Sequence, residues 1–285
     1  MIKLQTNISL LSSSIGIGFG DCITLLGSCF SDNIGSRMRA AGYDVHINPF
    51  GTLYNPESVA NAVSLLDSDS FFTLDDCVGM GAGAGLVCSF QHHTSFARCT
   101  AEDFLENANE SLKLARQDWK RSNKVIITLG TSWCFRHLER GVIVSNCLKR
   151  PASEYSRELI SLDRSSALLK RMVDDHPDKQ FIFTVSPIRH LSDGANANQI
   201  SKSLLLLAEN SVIEPGRAEY FPAYEIMMDE LRDYRFYAED MVHPSPLAVS
   251  YIWDRFCDFA VPDGDRQRIT DNEKLYKRSQ HINMH

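Results

Sequence analysis

Two runs constrain this chain more than anything else in it. They are Lys-Val-Ile-Ile-Thr-Leu at Lys124–Leu129 and Gln-Phe-Ile-Phe-Thr-Val at Gln180–Val185. Each is nearly continuous in apolar, β-branched or aromatic residues, the pattern of a strand buried on both faces. Each runs into small polar residues, Gly130-Thr131-Ser132-Trp133 after the first and Ser186-Pro187 after the second. Helical patterns stand between such runs, as βαβ units require. The expected fold is therefore one α/β domain around a mainly parallel sheet.

The other elements follow the same alternation. Cys22–Leu26 is predicted as the first strand, Gly27-Ser28-Cys29-Phe30 as a turn, and 31–41 as a helix. Asp44–Asn48 is a second strand, ending in Pro49-Phe50-Gly51. Asn55-Pro56-Glu57 is a helix start, with Asn as N-cap and Pro at the first helical position. Residues 71–99 form a hairpin-like excursion around Gly79, Gly81, Gly83 and Gly85. Those glycines lack the preceding strand and following helix of a phosphate loop. Residues 100–121 are a long amphipathic helix. A hairpin turns at Glu139-Arg140-Gly141, and further helices are predicted near 154–175, 198–210, 222–234 and 246–259. Ser245-Pro246 caps the last of these. The domain is expected to span 1–262, with a polar, peripheral tail over 263–285.

Composition excludes several functions. Of 285 residues, 44% are hydrophobic and 23% charged, ordinary values for a globular chain. The net charge is -7 and no Lys/Arg run exceeds two, so a nucleic-acid partner is not expected. No stretch has the ~20 apolar residues of a membrane helix, and the N-terminus lacks the pattern of a secretory leader. The eight cysteines show no C-x-x-C and no zinc spacing, which predicts reduced thiols in a cytoplasmic protein with neither metal nor cofactor.

The chemistry is expected at the carboxyl ends of the strands. Ser28 follows the first strand at a helix start, where backbone N–H groups and the helix dipole favour an oxyanion. By position alone it is also an ordinary N-cap. Asp240-x-x-His243 supplies a general base with a carboxylate to orient it, standing after the last strand-like unit. His190 and Arg189, just beyond a strand end, are candidate substrate contacts. His92, His93 and His137 have no ligand spacing. Lys202, one turn after Asn198, is expected at the surface.

Several blocks together resemble one family. They are Gly27-Ser28-Cys29-Phe30, Asn48-Pro49-Phe50-Gly51-Thr52-Leu53-Tyr54-Asn55-Pro56, Thr128-Leu129-Gly130-Thr131 and Asn146-Cys147-x-Lys149. Thr184-Val185-Ser186-Pro187-Ile188-Arg189-His190, Tyr220-Phe221-Pro222-Ala223-Tyr224-Glu225 and Asp240-Met241-Val242-His243-Pro244-Ser245 complete the set. The chain resembles the GSCFA family, a branch of the SGNH (GDSL-like) hydrolases. The resemblance implies a flavodoxin-like three-layer α/β/α fold with a five-stranded sheet. It implies Ser28 as nucleophile, His243 as base and Asp240 as its orienting acid. The oxyanion hole would use the N–H groups of Ser28 and Gly51. The superfamily's third block is G-x-N-D, but this chain has Gly130-Thr131-Ser132-Trp133. The missing Asn would be replaced by Asn146, Ser132 or Thr131.

The expected function is thus a serine esterase acting on small acyl esters, O-acetyl groups on carbohydrate above all. An O-acyltransferase using the same site and a non-catalytic carbohydrate-binding domain are the alternatives. Nothing in the sequence fixes an oligomeric state. Cys29 is a rival nucleophile, since a thiolate is intrinsically the stronger one. Two adjacent side chains at a strand-to-helix turn diverge, and the resemblance puts Ser28 in the cleft. Cys29 is then expected to point back under the sheet beside Phe30.

Overall fold

A computed structural model describes residues 6–82 and 85–282. Among the described residues ten strands are present: β1 Cys22–Gly27, β2 Asp44–Ile47, β3 Val78–Gly79, β4 Val87–Cys88, β5 Lys124–Leu129, β6 Trp133–His137, β7 Val142–Val144, β8 Tyr155–Leu159, β9 Gln180–Val185 and β10 Ala218–Tyr220. The helices are α1 Cys29–Ala41, α2 Pro56–Asp67, α3 Ala101–Arg121, α4 Leu162–Asp175, α5 Ala195–Asn210, the short α6 Ala223–Glu225, α7 Pro246–Ala260 and α8 Arg266–Ile282.

Five strands form one all-parallel sheet in the order β10-β9-β5-β1-β2. Alternation along the central strands sends side chains to opposite faces. Val125, Ile127 and Leu129 join Phe181, Phe183 and Val185 in a core under α2, α3, α4 and α5. Ile126, Ile182, Ile23 and Leu25 enter a second core under α1, α7 and α8. The two continuous apolar runs are thus covered on both sides, and the molecule has three layers, α/β/α.

Caps explain where the helices begin. Asn55 Oδ1 accepts the Ser58 N–H, and Pro56 stands at the first helical position. Ser245 Oγ accepts the Ala248 N–H ahead of Pro246 in the same way. Thr100 caps α3.

Three expectations are corrected. Residues 155–159 are not helical. Tyr155–Leu159 is a strand that pairs antiparallel with β6, making a sheet in the order β7-β6-β8, and α4 begins only after the Ser161 cap. The segment 222–234 does not form one helix. It holds α6, then a π-helical turn at Ile226–Glu230. The tail after Pro262 is polar, yet Arg266–Ile282 is a helix packed on the sheet's second face. Its Ile269 is buried, Asn272 Nδ2 donates to Ala41 O at 2.7 Å, and Trp253 Nε1 donates to Glu273 at 3.2 Å. The 71–99 excursion contains the short antiparallel pair β3–β4, and Gly83 lies outside the described residues.

Candidate active site

All five central strands run in one direction, so the turns after β1, β2, β5 and β9 meet at one edge of the sheet. A mesh of hydrogen bonds ties them together. Asn48, after β2, accepts the Gly27 N–H on Oδ1 at 2.9 Å and donates from Nδ2 to Asp32 at 2.7 Å. Leu53 N–H donates to Gly27 O, and the Gly130 and Thr131 N–H groups both donate to Tyr54 O. Gly27 has φ +140°, and a Cβ there would sit 2.1 Å from Thr128 O, so only glycine lets β1 end against β5.

Lys202 completes this mesh and corrects the expectation of a surface lysine. It is fully buried, and its Nζ donates to Gly130 O at 2.7 Å and Ser186 O at 2.8 Å. Those carbonyls follow β5 and β9, so one side chain pins two strand ends. Burial pulls its pKa down to about 7. A polar residue one turn after Asn198 was visible in the sequence; its burial was not.

Ser28 is the N-cap of α1 and has no exposed surface. Its Oγ accepts the Phe30 N–H at 3.3 Å and donates to Ser186 Oγ at 3.1 Å, and its own N–H donates to Thr128 O. Cys29 is half-buried, not the fully buried residue expected. An N-cap side chain folds back over the first helical turn to satisfy its N–H groups, whereas the next side chain leaves the helix start outward. Phe30, by contrast, is buried as expected.

The Asp240–His243 loop, by contrast, is solvent-facing and closed on itself. Ala238 N–H donates to His243 O, and Ser245 N–H donates to Phe236 O. Asp240 Oδ1 accepts the Val242 and His243 N–H groups, both at 2.9 Å, and Oδ2 lies 2.6 Å from His243 Nδ1. The two amides and the ring hold the carboxyl down to about 2. An ionised carboxylate only accepts, so Nδ1 carries the proton and Nε2 is the basic nitrogen. Among the described residues no hydrogen bond joins His243 to Ser28 or Cys29. The His243 side chain is 47% exposed.

The remaining candidates separate. Gly51 has φ +79°, and a Cβ there would lie 2.2 Å from His93 Cβ, which explains the glycine. Its N–H closes a turn onto Asn48 O at 2.7 Å, and the Ser28 N–H is engaged likewise, so neither is free for an oxyanion in this state. Ser132 and Thr131 are tied to Ser201 on α5. Asn146 accepts the Leu148 N–H on Oδ1 and faces a cavity of about 300 Å³ with Tyr54, Thr131, Trp133, Arg157 and His190. His190 Nε2 is buried without a partner, and burial first, then the Lys202 and His243 charges, lower its pKa to about 4. It is neutral at pH 7. Arg189 points away, into a larger cavity of about 770 Å³ shared with Tyr224, Tyr237 and Met241. The two neighbours therefore serve different cavities.

His92 packs among Phe72, Phe96 and Phe104 with Nδ1 on Ser89 Oγ, and His137 is buried against Phe90 and Tyr155. Both are core residues. Among the described residues one potential metal cluster occurs, Cys22, Asp44 and His46, at the opposite edge of the sheet. The Arg121 guanidinium already sits among its ligand atoms, 2.7 Å from Asp44 and 3.4 Å from Cys22 Sγ and His46 Nε2.

The GSCFA family model matches residues 22–256, from the first residue of β1 into α7. The chain belongs to the GSCFA family. No curated protein and no solved structure matches it. In this GSCFA chain the family match covers every strand-end turn described above and the Asp240–His243 loop. No described helix is long and apolar enough to cross a membrane.

Proposed function

We propose that the protein is an SGNH-type hydrolase that cleaves small acyl esters, O-acetyl groups on carbohydrate above all, through an acyl-enzyme. The observation that carries this reading is the Asp240–His243 pair. A carboxylate pinned by two backbone amides fixes the imidazole tautomer and leaves Nε2 basic, and few structural roles need that arrangement. The nucleophile comes from the Gly27-Ser28-Cys29 turn, at the same sheet edge. His243 takes its proton during attack and returns it to the leaving alkoxide. Asn146 Nδ2 is the side-chain donor best placed to replace the missing third-block Asn. The cavity beside it, lined by Trp133, Tyr54 and neutral His190, suits a sugar ring carrying a small ester.

Incubation with p-nitrophenyl acetate tests the chemistry, and acetylated oligosaccharides followed by mass spectrometry test the substrate. The reading expects acetate release that His243→Ala reduces by several orders of magnitude. Release equal in native protein and His243→Ala would refute it. Acetyl appearing on an added sugar rather than in water would make the enzyme a transferase.

A further inference from the structure

The turn after β1 offers two candidate nucleophiles, and their surroundings differ. Ser28 has no accessible surface, and both roles of its hydroxyl are filled within the protein, one by Phe30 N–H and one by Ser186 Oγ. For a carbonyl carbon to reach that oxygen, the cap of α1 must open. Cys29 is the first residue of α1, half-buried at the edge where the strand-end turns meet.

We propose that Cys29, not Ser28, is the nucleophile, and that the acyl-enzyme is a thioester. This rests on the hydrolase reading above and goes beyond it. The site contains more than the thiol. The amides of Cys29 and Phe30 face the sulfur, and Lys202 is close enough to act on it electrostatically. Tyr54, from the wall of the 300 Å³ cavity, feels the same sulfur. Lys202 and His243 both act on His190, which lines that cavity. Burial and Asp32 raise the thiol's pKa, more than the two amides and Lys202 lower it. The sulfur therefore rests protonated, and it needs the base that the loop carries.

The steps balance. Cys29 Sγ attacks the ester carbonyl while its proton passes to His243 Nε2. The Sγ–C bond forms, the C–O bond to the alcohol breaks, and the imidazolium gives its proton to the departing alkoxide. Water then attacks the thioester as His243 takes its proton. The carboxylic acid leaves and the proton returns to the thiolate. Asp240 keeps Nδ1 protonated throughout.

The test is to locate the acetyl group after acid quench of a p-nitrophenyl acetate reaction, by peptide mass spectrometry. We expect one acetyl on the Cys29 peptide, removed by neutral hydroxylamine as thioesters are. It should be absent from Cys29→Ala and still formed in Ser28→Ala. The exposed Cys99 serves as the control for unspecific thiol acetylation. Turnover should fall by several orders of magnitude in Cys29→Ala. Cys29→Ser guards against a folding defect: it should carry an acetyl that resists neutral hydroxylamine. An acetyl on Ser28 with Cys29→Ala still labelled would overturn the proposal and leave the hydrolase reading standing. So would Cys29→Ala turning over at the native rate. A folded native protein with neither label nor turnover would overturn both.

Discussion

At the scale of single residues, the site depends on which groups are tied up and which are left free. Asp240 is held by two backbone amides on one oxygen and meets the imidazole of His243 with the other. Asp240→Asn keeps the shape and loses the tautomer control, so turnover on an activated ester should fall by ~10³- to 10⁴-fold with little change in melting temperature. Equal turnover in the two proteins would remove Asp240 from the mechanism. A different residue sets a pH dependence of stability. Glu209 is fully buried, and neither carboxyl oxygen has a hydrogen-bond partner. Burial first, then Glu225, raises its pKa well above the ordinary carboxyl range. A raised carboxyl pKa contributes stability that is present below the unfolded value and is lost as pH rises. Glu209→Leu should therefore stabilise the protein by ~1–3 kcal/mol at pH 8 and by less at pH 5, read from urea unfolding at both. A larger gain at pH 5 would reverse the assignment.

At the scale of elements, close approach of backbones is what local sequence shows least. Gly35 lies on the buried face of α1, and a Cβ there would meet the Ile47 side chain of β2 at 2.6 Å. Gly35→Ala should cost ~1–3 kcal/mol by pushing α1 off the sheet, measured as a fall in melting temperature. An unchanged melting temperature would mean that Ile47 relaxes freely. The strand Tyr155–Leu159 makes the related point. Its residues read as the start of a helix until β6 offers them a partner, and pairing with that strand then overrides local preference. Helix starts were legible for the opposite reason. Asn55-Pro56 and Ser245-Pro246 act within four residues, so no distant contact is needed to read them.

At the scale of the whole molecule, the contact of α1 with the C-terminal helix and the candidate site sit at opposite ends of α1. Helix α1 begins at the candidate site and ends at Ala41, where Asn272 of α8 holds the last turn. Removing residues 263–285 should lower stability by at least ~2 kcal/mol, since Ile269 and the Glu273–Trp253 bond are lost. Ester turnover per folded molecule should not change. Coupled losses of both would show that the tail reaches the catalytic edge.

Periodicity alone determined the α/β class and the central parallel strands, because a strand covered on both faces must be apolar along its whole length. Spacing alone put Asp240 beside His243, because three residues of turn span one hydrogen bond. The order of the sheet, the strand β10 and the buried polar mesh around Lys202 were decided by contacts far apart in the chain. Lys202 lies 72 residues from the carbonyl of Gly130 that it holds. The same is true of the choice at the turn after β1. Read from the sequence, Ser28 stands in the cleft and Cys29 under the sheet. Only the packed helix start buries one hydroxyl against Phe30 and Ser186 and leaves the neighbouring thiol at the open edge.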